Sequence, residues 1–174
     1  MHVSLRPIGP DDRAFVLRLN HEHVELLSPM DDARLTVLQG WAERADVIEV
    51  DGAPAGVVLT FGPGSAYDSE NYRWHAARFG TRFQYLDRVV LAPEHRGTGA
   101  AHRAYDLLED AARPHDRLVL EVNSDPPNER SLRFHARRGF AEVGRLGGPG
   151  HEVVLLSREL AADARAGAGA PPSA

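Results

Sequence analysis

Leu86-Asp-Arg-Val-Val-Leu-Ala-Pro-Glu-His-Arg-Gly-Thr-Gly-Ala-Ala-His-Arg-Ala-Tyr105 is the stretch that decides the fold. It predicts a strand, a glycine-rich turn at 95–101 and a helix. The first N–H groups of a helix have no intrahelical acceptor, and the positive end of the helix dipole lies beside them, so an anion binds there. Arg96 adds a permanent positive charge. We therefore predict a phosphate-binding loop at 95–101, called here the glycine loop.

The spacing of the glycine loop excludes two common phosphate-binding motifs. A Walker loop needs Lys and then Ser or Thr after its last glycine, whereas Gly99 is followed by two alanines. A Rossmann turn needs a glycine where Arg96 stands. The pattern Arg-x-x-Gly-x-Ala of Arg96, Gly99 and Ala101 resembles the coenzyme A pyrophosphate loop of the GCN5-related N-acetyltransferases, the GNAT superfamily. The alternative is an ordinary helix start with glycines for a tight turn.

Composition limits the classes of protein that fit. The 174 residues are 43% hydrophobic and 26% charged, as in a globular domain, and the net charge of −5 argues against nucleic-acid binding. There is no cysteine for a disulfide or a thiol nucleophile, and the nine histidines show no metal-ligand spacing. With no apolar run long enough for a membrane span and no signal peptide, we expect a cytoplasmic protein. Residues 1–160 are predicted to form a single domain, and 161–174 a disordered tail.

The order of the predicted elements is β-α-α-β-β-β-α-β-α-β-β. Helices are predicted to start near Pro10 and Asp31 and to cover 100–112 and 128–138. Residues 63–84 are interpreted as a long irregular loop. Strands are predicted at 3–8, 47–50, 56–61, 86–91, 118–122, 140–145 and 152–157.

This order and a second motif extend the resemblance over residues 3–160. Asn128-Glu-Arg-Ser-Leu-Arg-Phe-His-Ala-Arg-Arg-Gly-Phe140 is similar to the Asn-x-x-(Ala/Ser)-x-x-(Phe/Leu)-Tyr-x-x-x-Gly-Phe segment of that superfamily. The resemblance implies an α/β (α+β) GNAT fold, a mixed central sheet whose parallel strands 4 and 5 splay apart. Tyr85-Leu-Asp-Arg88 and Glu121-Val-Asn-Ser-Asp-Pro-Pro-Asn128 resemble, more narrowly, a bacterial subgroup of the family.

The resemblance also implies how acetyl-CoA, the co-substrate, is held. Main-chain groups of Val89, Val90 and Leu91 would pair with the pantetheine arm like an added strand. Asn128 would contact the same arm, or cap a helix, and both roles are compatible. Four arginines would reach the 3′-phosphate or form a solvated helix face: Arg130, Arg133, Arg137 and Arg138. The pyrophosphate would lie on Arg96, Gly97, Thr98, Gly99, Ala100 and Ala101.

Acetyl transfer to an amine needs a proton acceptor, and two carboxylates are candidates. Asp87 is expected on the same strand face as Val89, and Glu121 on the next strand, where burial would raise a carboxyl pKa toward neutrality. Asp87 is alternatively in a salt bridge or turn contact with Arg88 or a loop residue, and Glu121 is alternatively the structural partner of an arginine. His135 replaces the motif tyrosine that protonates the leaving thiolate, and either takes that role or packs beside Phe134 and bonds a backbone carbonyl.

The stretch at 63–84 combines flat apolar rings with polar side chains, as expected for the wall of a substrate pocket. Its aromatic rings alternatively pack the loop down. Asn20 and His23, near the end of the first predicted helix, are weaker candidates for the same wall. The candidate substrate residues are Tyr67, Asp68, Asn71, Tyr72 and Trp74.

Together these features predict an acetyl-CoA-dependent N-acetyltransferase without a metal, acting by direct attack in a ternary complex. The acceptor would be a primary amine of a small molecule or a peptide N-terminus, with a main-chain N–H near Leu91 meeting the oxyanion. A homodimer is plausible from the resemblance; nucleic acid and membrane are not expected partners. The alternatives are a non-catalytic acyl-CoA-binding or sensing module, favoured by the histidine at 135, and a nucleotide-phosphate enzyme that uses the glycine loop differently.

Overall fold

The computed structural model describes residues 1–25 and 27–160, and the tail predicted at 161–174 lies outside them. Within these residues, the α helices are α1 (Arg13–His21), α2 (Asp32–Trp41), α3 (Glu70–Phe79), α4 (Ala100–Ala112) and α5 (Glu129–Arg137). The strands are β1 (Val3–Pro7), β2 (Arg44–Val50), β3 (Ala53–Phe61), β4 (Gln84–Leu91), β5 (Arg117–Asp125), β6 (Ala141–Leu146) and β7 (Glu152–Glu159).

The strands form one mixed sheet in the order β1-β2-β3-β4-β5-β7-β6. Every neighbouring pair is antiparallel except β4 and β5, which are parallel. Their pairing is limited to Gln84 with Leu118 and Tyr85 with Val119. Beyond Tyr85 the two strands diverge, and this confirms the splayed pair that the resemblance implies. The main-chain groups of β4 that point toward β5 are thereby left available for another partner.

A β-bulge at Asp87 sets which side chains of β4 share a face. Arg88 pairs with Leu59 and Leu86 with Thr60, so Asp87 has no opposite residue on β3. One extra residue reverses the alternation of side chains along the strand. Tyr85, Arg88 and Val90 therefore lie on one face, with Leu86 and Val89 on the other.

Two hydrophobic clusters cover the two faces of the sheet. One lies under α1, α2 and α3 and includes Val16, Leu35, Tyr72, Tyr85 and Val119. The other lies under α4 and α5 and includes Leu86, Ala104, Leu108, Leu118 and Leu120. We call these sides the α1/α3 face and the α4/α5 face. Because side chains alternate along β5, Glu121 follows Val119 onto the α1/α3 face.

The structure corrects the interpretation of residues 63–84 as an irregular loop, because α3 lies within them. Ser69 caps this helix by accepting a hydrogen bond from the Tyr72 N–H at 3.3 Å, and Gly80, with φ of 62°, ends it. Tyr72, Ala76 and Phe79 contribute to the cluster under it. The spacing of these three residues is helical, but the polar and aromatic composition of residues 63–84 favoured a loop in the sequence interpretation.

Candidate active site

A cavity of about 580 Å³ opens where β4 and β5 diverge. Its walls come from both faces of the sheet, because the gap between the strands passes through the sheet. Asp87 and Glu121 line it on the strands, and Gly97 and Ala101 line it at the start of α4. The predicted coenzyme loop and the predicted bases therefore open into one space.

The glycine loop has the backbone that its sequence predicts. Gly97 and Gly99 have φ values of 74° and 91°, in the left-handed region that glycine adopts without strain. The Thr98 hydroxyl donates to the His95 carbonyl at 2.8 Å and accepts from the Ala100 N–H at 3.3 Å, which ties the loop to the first turn of α4. Residues 96–98 of the loop are exposed, and the N–H groups at the helix start suit the oxygens of a phosphate.

Arg96 reaches across the mouth of the cavity to the chain that follows α1. Its guanidinium contacts Nε2 of His23, while Nδ1 of that ring donates to the Leu19 carbonyl at 2.8 Å. Nε2 is therefore the acceptor of a proton from Arg96. His23 lines the cavity, as the sequence suggested, and connects the glycine loop to the opposite wall.

Asn128 is the N-cap of α5 and lies on the cavity wall. Its side-chain oxygen accepts from the Ser131 N–H at 3.1 Å, which shows the capping role. Of the arginines weighed for a 3′-phosphate, Arg130 lines the cavity. Arg138 instead pairs with Glu109 and Asp106, both at 2.8 Å, with its side chain only 8% exposed.

Asp87 is held by two donors. Its Oδ2 accepts from Nε of Arg88 at 2.6 Å, and its Oδ1 accepts from the Tyr67 hydroxyl. The sequence expectation that Asp87 shares a face with Val89 is wrong, because the bulge at Asp87 separates them. The carboxylate lies instead toward the α1/α3 face, beside a guanidinium that also donates to Asn20 at 2.6 Å.

Glu121 has a different environment. Both of its carboxylate oxygens accept from the Tyr85 hydroxyl, at 2.8 and 2.7 Å. Burial and the nearby charge of Asp87 raise the pKa of Glu121 to about 7, while hydrogen bonds from Tyr85 and Asn71 act in the opposite direction. A carboxyl that titrates near neutrality beside a cavity is suited to take and release a proton.

His135 is buried between α4 and α5. Nδ1 donates to the Ser131 carbonyl at 2.8 Å, so Nε2 accepts from the Tyr105 hydroxyl at 2.7 Å. Burial lowers the pKa of this ring to about 4, so the imidazole is neutral at pH 7. These contacts agree with the packing interpretation of His135. The acid role stays a prediction and needs the ring to leave these partners.

The predicted substrate residues divide into three groups. Asn71, in the first turn of α3, lines the cavity. Tyr67 lies behind the wall and holds Asp87, while Asp68 is exposed and accepts from Arg34 at 2.9 Å. The rings of Tyr72 and Trp74 agree with the alternative interpretation, in which the aromatic side chains pack this stretch against the rest of the protein. Tyr72 donates to the Gly62 carbonyl at 2.8 Å, and Trp74 covers Gly144 of β6, where an added Cβ would lie 2.5 Å from the indole.

Sequence reasoning missed the hydroxyl contacts of Tyr85 and Tyr105, whereas the pairing of Asp87 with Arg88 is the alternative that the sequence offered. The polar residues inside β4 were the available signal, because a buried polar group needs a partner.

The fold and the cavity together define an acyltransferase architecture, and comparison with known proteins agrees. A model described as Acetyltransferase (GNAT) family matches residues 14–140. The chain belongs to the GNAT family of acetyltransferases. This confirms the resemblance given by the two sequence motifs and the expected fold class.

Individual relatives are distant. The chain is 26% identical over 155 residues to the spermidine N(1)-acetyltransferase of Escherichia coli strain K12, covering 83% of this chain and 75% of that protein. A spermidine N-acetyltransferase structure from Vibrio cholerae, in complex with CoA and spermine, superposes with a TM-score of 0.68 at 20% identity, covering 90% and 95% of the two chains. Ard1 from Thermoplasma volcanium gives 0.68 at 17%, covering 91% and 98%.

The described residues contain neither a membrane-spanning helix nor a metal-binding cluster. Between residues 1 and 160, leaving out residue 26, no helix is long and apolar enough to cross a membrane. Over the same part of the chain, no group of three or more side chains of the types that bind metals is arranged to hold an ion.

Proposed function

We propose that this protein transfers the acetyl group of acetyl-CoA to a primary amine of a small molecule or a peptide N-terminus, by direct attack in a ternary complex. The observation that carries the proposal is the cavity between β4 and β5, which joins the glycine loop to the carboxylate of Glu121. The absence of cysteine supports the direct route, because no thiol is available to form an acyl-enzyme.

The residues present fit the coenzyme. Left-handed glycines at 97 and 99 keep side chains away from the loop, and Arg96 supplies positive charge for the pyrophosphate held by residues 96–101. Asn128 lies on the wall where the pantetheine would pass. The diverging edge of β4 offers the main chain of Val89, Val90 and Leu91 to the same arm.

Glu121 is the better candidate for the base. The oxygens of Asp87 are occupied by a guanidinium and a hydroxyl, whereas the side-chain donors to Glu121 are the uncharged Tyr85 hydroxyl and Asn71. With a pKa of about 7, Glu121 can exchange a proton near neutral pH. The carboxylate accepts a proton from the attacking nitrogen as the C–N bond forms and the C–S bond breaks.

An N–H near Leu91 would meet the oxyanion, and the departing thiolate takes up one proton. His135 remains the proposed donor of that proton. It would first have to take up a proton at Nε2, because the neutral ring donates its one N–H to the Ser131 carbonyl and accepts from Tyr105 at Nε2. A thiol with a pKa of about 8.5 leaves without a strong acid, so the reaction does not depend on this donor.

The acceptor class is proposed from charge and from the relatives. Asp87 and Glu121 line the cavity together with Arg88, Arg96 and Arg130. Arg88 pairs with Asp87, which leaves the Glu121 carboxylate to face a cationic amine. The relative from Escherichia coli is named for spermidine, so polyamines stand first among the amines to be tested. We place the reaction in the cytoplasm and propose a homodimer, for which light scattering of the purified protein is the direct measurement.

The experiment is an acceptor screen that follows CoA release from acetyl-CoA. The panel contains polyamines, amino acids, aminoglycosides and peptides, with a no-amine control that measures hydrolysis. We expect turnover with at least one primary amine. Tight acetyl-CoA binding without turnover on any amine would instead establish the acyl-CoA-binding module, and preference for ATP over CoA would establish the nucleotide-phosphate enzyme.

The proposed base is tested with Glu121→Gln and the matched Asp87→Asn, both of which keep the shape of the side chain. We expect Glu121→Gln to lower kcat by roughly 10²–10⁴-fold with little change in acetyl-CoA affinity. Asp87→Asn leaves Arg88 buried without its carboxylate, so a loss of thermal stability should accompany its loss of activity. Full activity of Glu121→Gln from pH 6 to 9 would contradict the assignment.

A further inference from the structure

The Tyr85-Leu-Asp-Arg88 segment has a feature that the proposed reaction leaves unused. Tyr85 is fully buried on β4, and its hydroxyl lies 2.8 and 2.7 Å from the two oxygens of Glu121 on β5. Since a phenol has one proton, it is shared between both oxygens. The contact crosses the parallel pair at the point where the strands begin to diverge.

We propose that Tyr85 is a positioning residue for the base: its hydroxyl fixes the Glu121 carboxylate at the gap between the strands and keeps it ionised for catalysis. This inference rests on the proposed function of Glu121. Tyr85, the first residue of the segment, thus acts on the proposed base, while Arg88, the last residue, donates to Asp87.

The physical argument starts from the cost of burying a carboxylate. Removal from water and the charge of Asp87 favour the protonated form of Glu121, while a hydroxyl donor stabilises the ionised form. Tyr85 is a constant donor, because burial raises its own pKa well above the ordinary value and the phenol stays protonated wherever the enzyme works. Without this donor, Glu121 would bind its proton more tightly and be a base only in alkaline solution.

The bulge at Asp87 makes this arrangement possible. It places Tyr85 and Arg88 on the same face of β4, so one aromatic hydroxyl and one guanidinium serve two different carboxylates. The hydroxyl of Tyr67 donates to Asp87, and the Tyr67 ring lies 6.0 Å from that of Tyr85. The two tyrosines are therefore neighbours of similar burial with different carboxylate partners.

Several other charged or titratable groups face the Glu121 carboxyl or share its cavity. The contribution of each group to the pKa of Glu121 stays the same when variants that each remove one hydroxyl are compared. The groups are Asp87, Arg88 and Tyr67 on the α1/α3 face, and His23, Arg96, Tyr105, Arg130 and His135 around the rest of the wall.

The test compares Tyr85→Phe with the matched control Tyr67→Phe in the full-length protein. The pH dependence of kcat/KM is measured with the best amine from the screen. A hydrogen bond to a charged group is strong enough that its loss should move the acidic limb upward by about one to two pH units. Tyr85→Phe should therefore lose roughly 10- to 100-fold in kcat/KM below the limb and recover above it.

Tyr67→Phe should move the limb by much less, because its hydroxyl serves Asp87. An equal movement in both variants would overturn the inference, since it would reflect general loosening of the aromatic cluster. A loss in Tyr85→Phe that is the same at every pH would also overturn it. Circular dichroism and thermal melting confirm that each variant is folded before its profile is used.

A second measurement does not depend on turnover. Infrared difference spectroscopy follows the protonated carboxyl band of Glu121 against pH, with Glu121→Gln to assign the band. A rise of this pKa in Tyr85→Phe supports the inference, and an unchanged pKa refutes it. If the pKa rises but the limb of kcat/KM does not follow, Glu121 is not the base, and the proposed function fails at that point while the effect of Tyr85 on Glu121 stands.

Discussion

His75 on α3 makes the stability of this protein depend on pH. The ring has no exposed surface, and neither nitrogen makes a hydrogen bond of good geometry among the described residues, while the Leu120 backbone acts on the ring in favour of its charged form. It packs against the rings of Trp74, Phe79 and Tyr85. Burial lowers its pKa from 6.5 to about 4, because the charged form would lie in an apolar cluster.

The sign and size of the effect follow from proton linkage. Between pH 6.5 and 4 the unfolded chain binds a proton at His75 that the folded chain does not, so the free energy of unfolding falls as the pH falls. With pKa values of 6.5 and about 4, the loss from this one residue between pH 7 and pH 5 is about 2 kcal/mol. His135, whose pKa is also lowered to about 4, contributes in the same direction.

The variant His75→Phe removes this titration and keeps an aromatic ring in place. Urea unfolding at pH 7 and pH 5 should show that the variant loses about 2 kcal/mol less than the wild type over this interval. At pH 7 it should be no less stable, since the ring nitrogens make no hydrogen bond of good geometry to lose. The exposed His151, changed to Gln, is the control. Equal losses in the wild type and His75→Phe would refute the reasoning.

Two further predictions concern the coenzyme side. Gly99→Glu should abolish acetyl-CoA binding in calorimetry, because it adds bulk and like charge at a left-handed position. Gly52→Glu, at a turn with φ of 83°, carries the same backbone strain away from the loop and should bind normally. His135→Ala should lose stability through its bonds to Tyr105 and Ser131. A role of His135 as the acid requires His135→Ala to lower turnover more than acetyl-CoA affinity, and unchanged turnover would dispose of that role.

Much of the fold was predictable because it depends on local signals. The Asp31 cap of α2, the glycine loop before α4 and the alternating apolar residues of the strands each specify an element within a few residues. The bulge at Asp87 was not predictable, because it depends on how β4 pairs with β3 rather than on any residue of β4. The face assigned to Asp87 was wrong for that reason.

The candidate site divides in the same way. Glu121 and Asp87 were identified as carboxylates near the expected gap, since strand order alone brings them to it. The Tyr85 hydroxyl on Glu121 and the Tyr105 hydroxyl on His135 join residues 36 and 30 positions apart, which no local pattern specifies. Tyr72 and Trp74 were ambiguous because an aromatic ring packs a core and lines a pocket by the same apolar contacts.

The bulge at Asp87 makes the pairing of β4 as important as its composition. If all eight residues of β4 paired with β3 without the bulge, Tyr85 and Arg88, three positions apart, would lie on opposite sides of the sheet. One hydroxyl or one guanidinium would then leave its carboxylate, even though every named group was still encoded. Anyone who grafts a new acceptor pocket onto this scaffold must therefore keep the bulge itself, and not only the side chains around it.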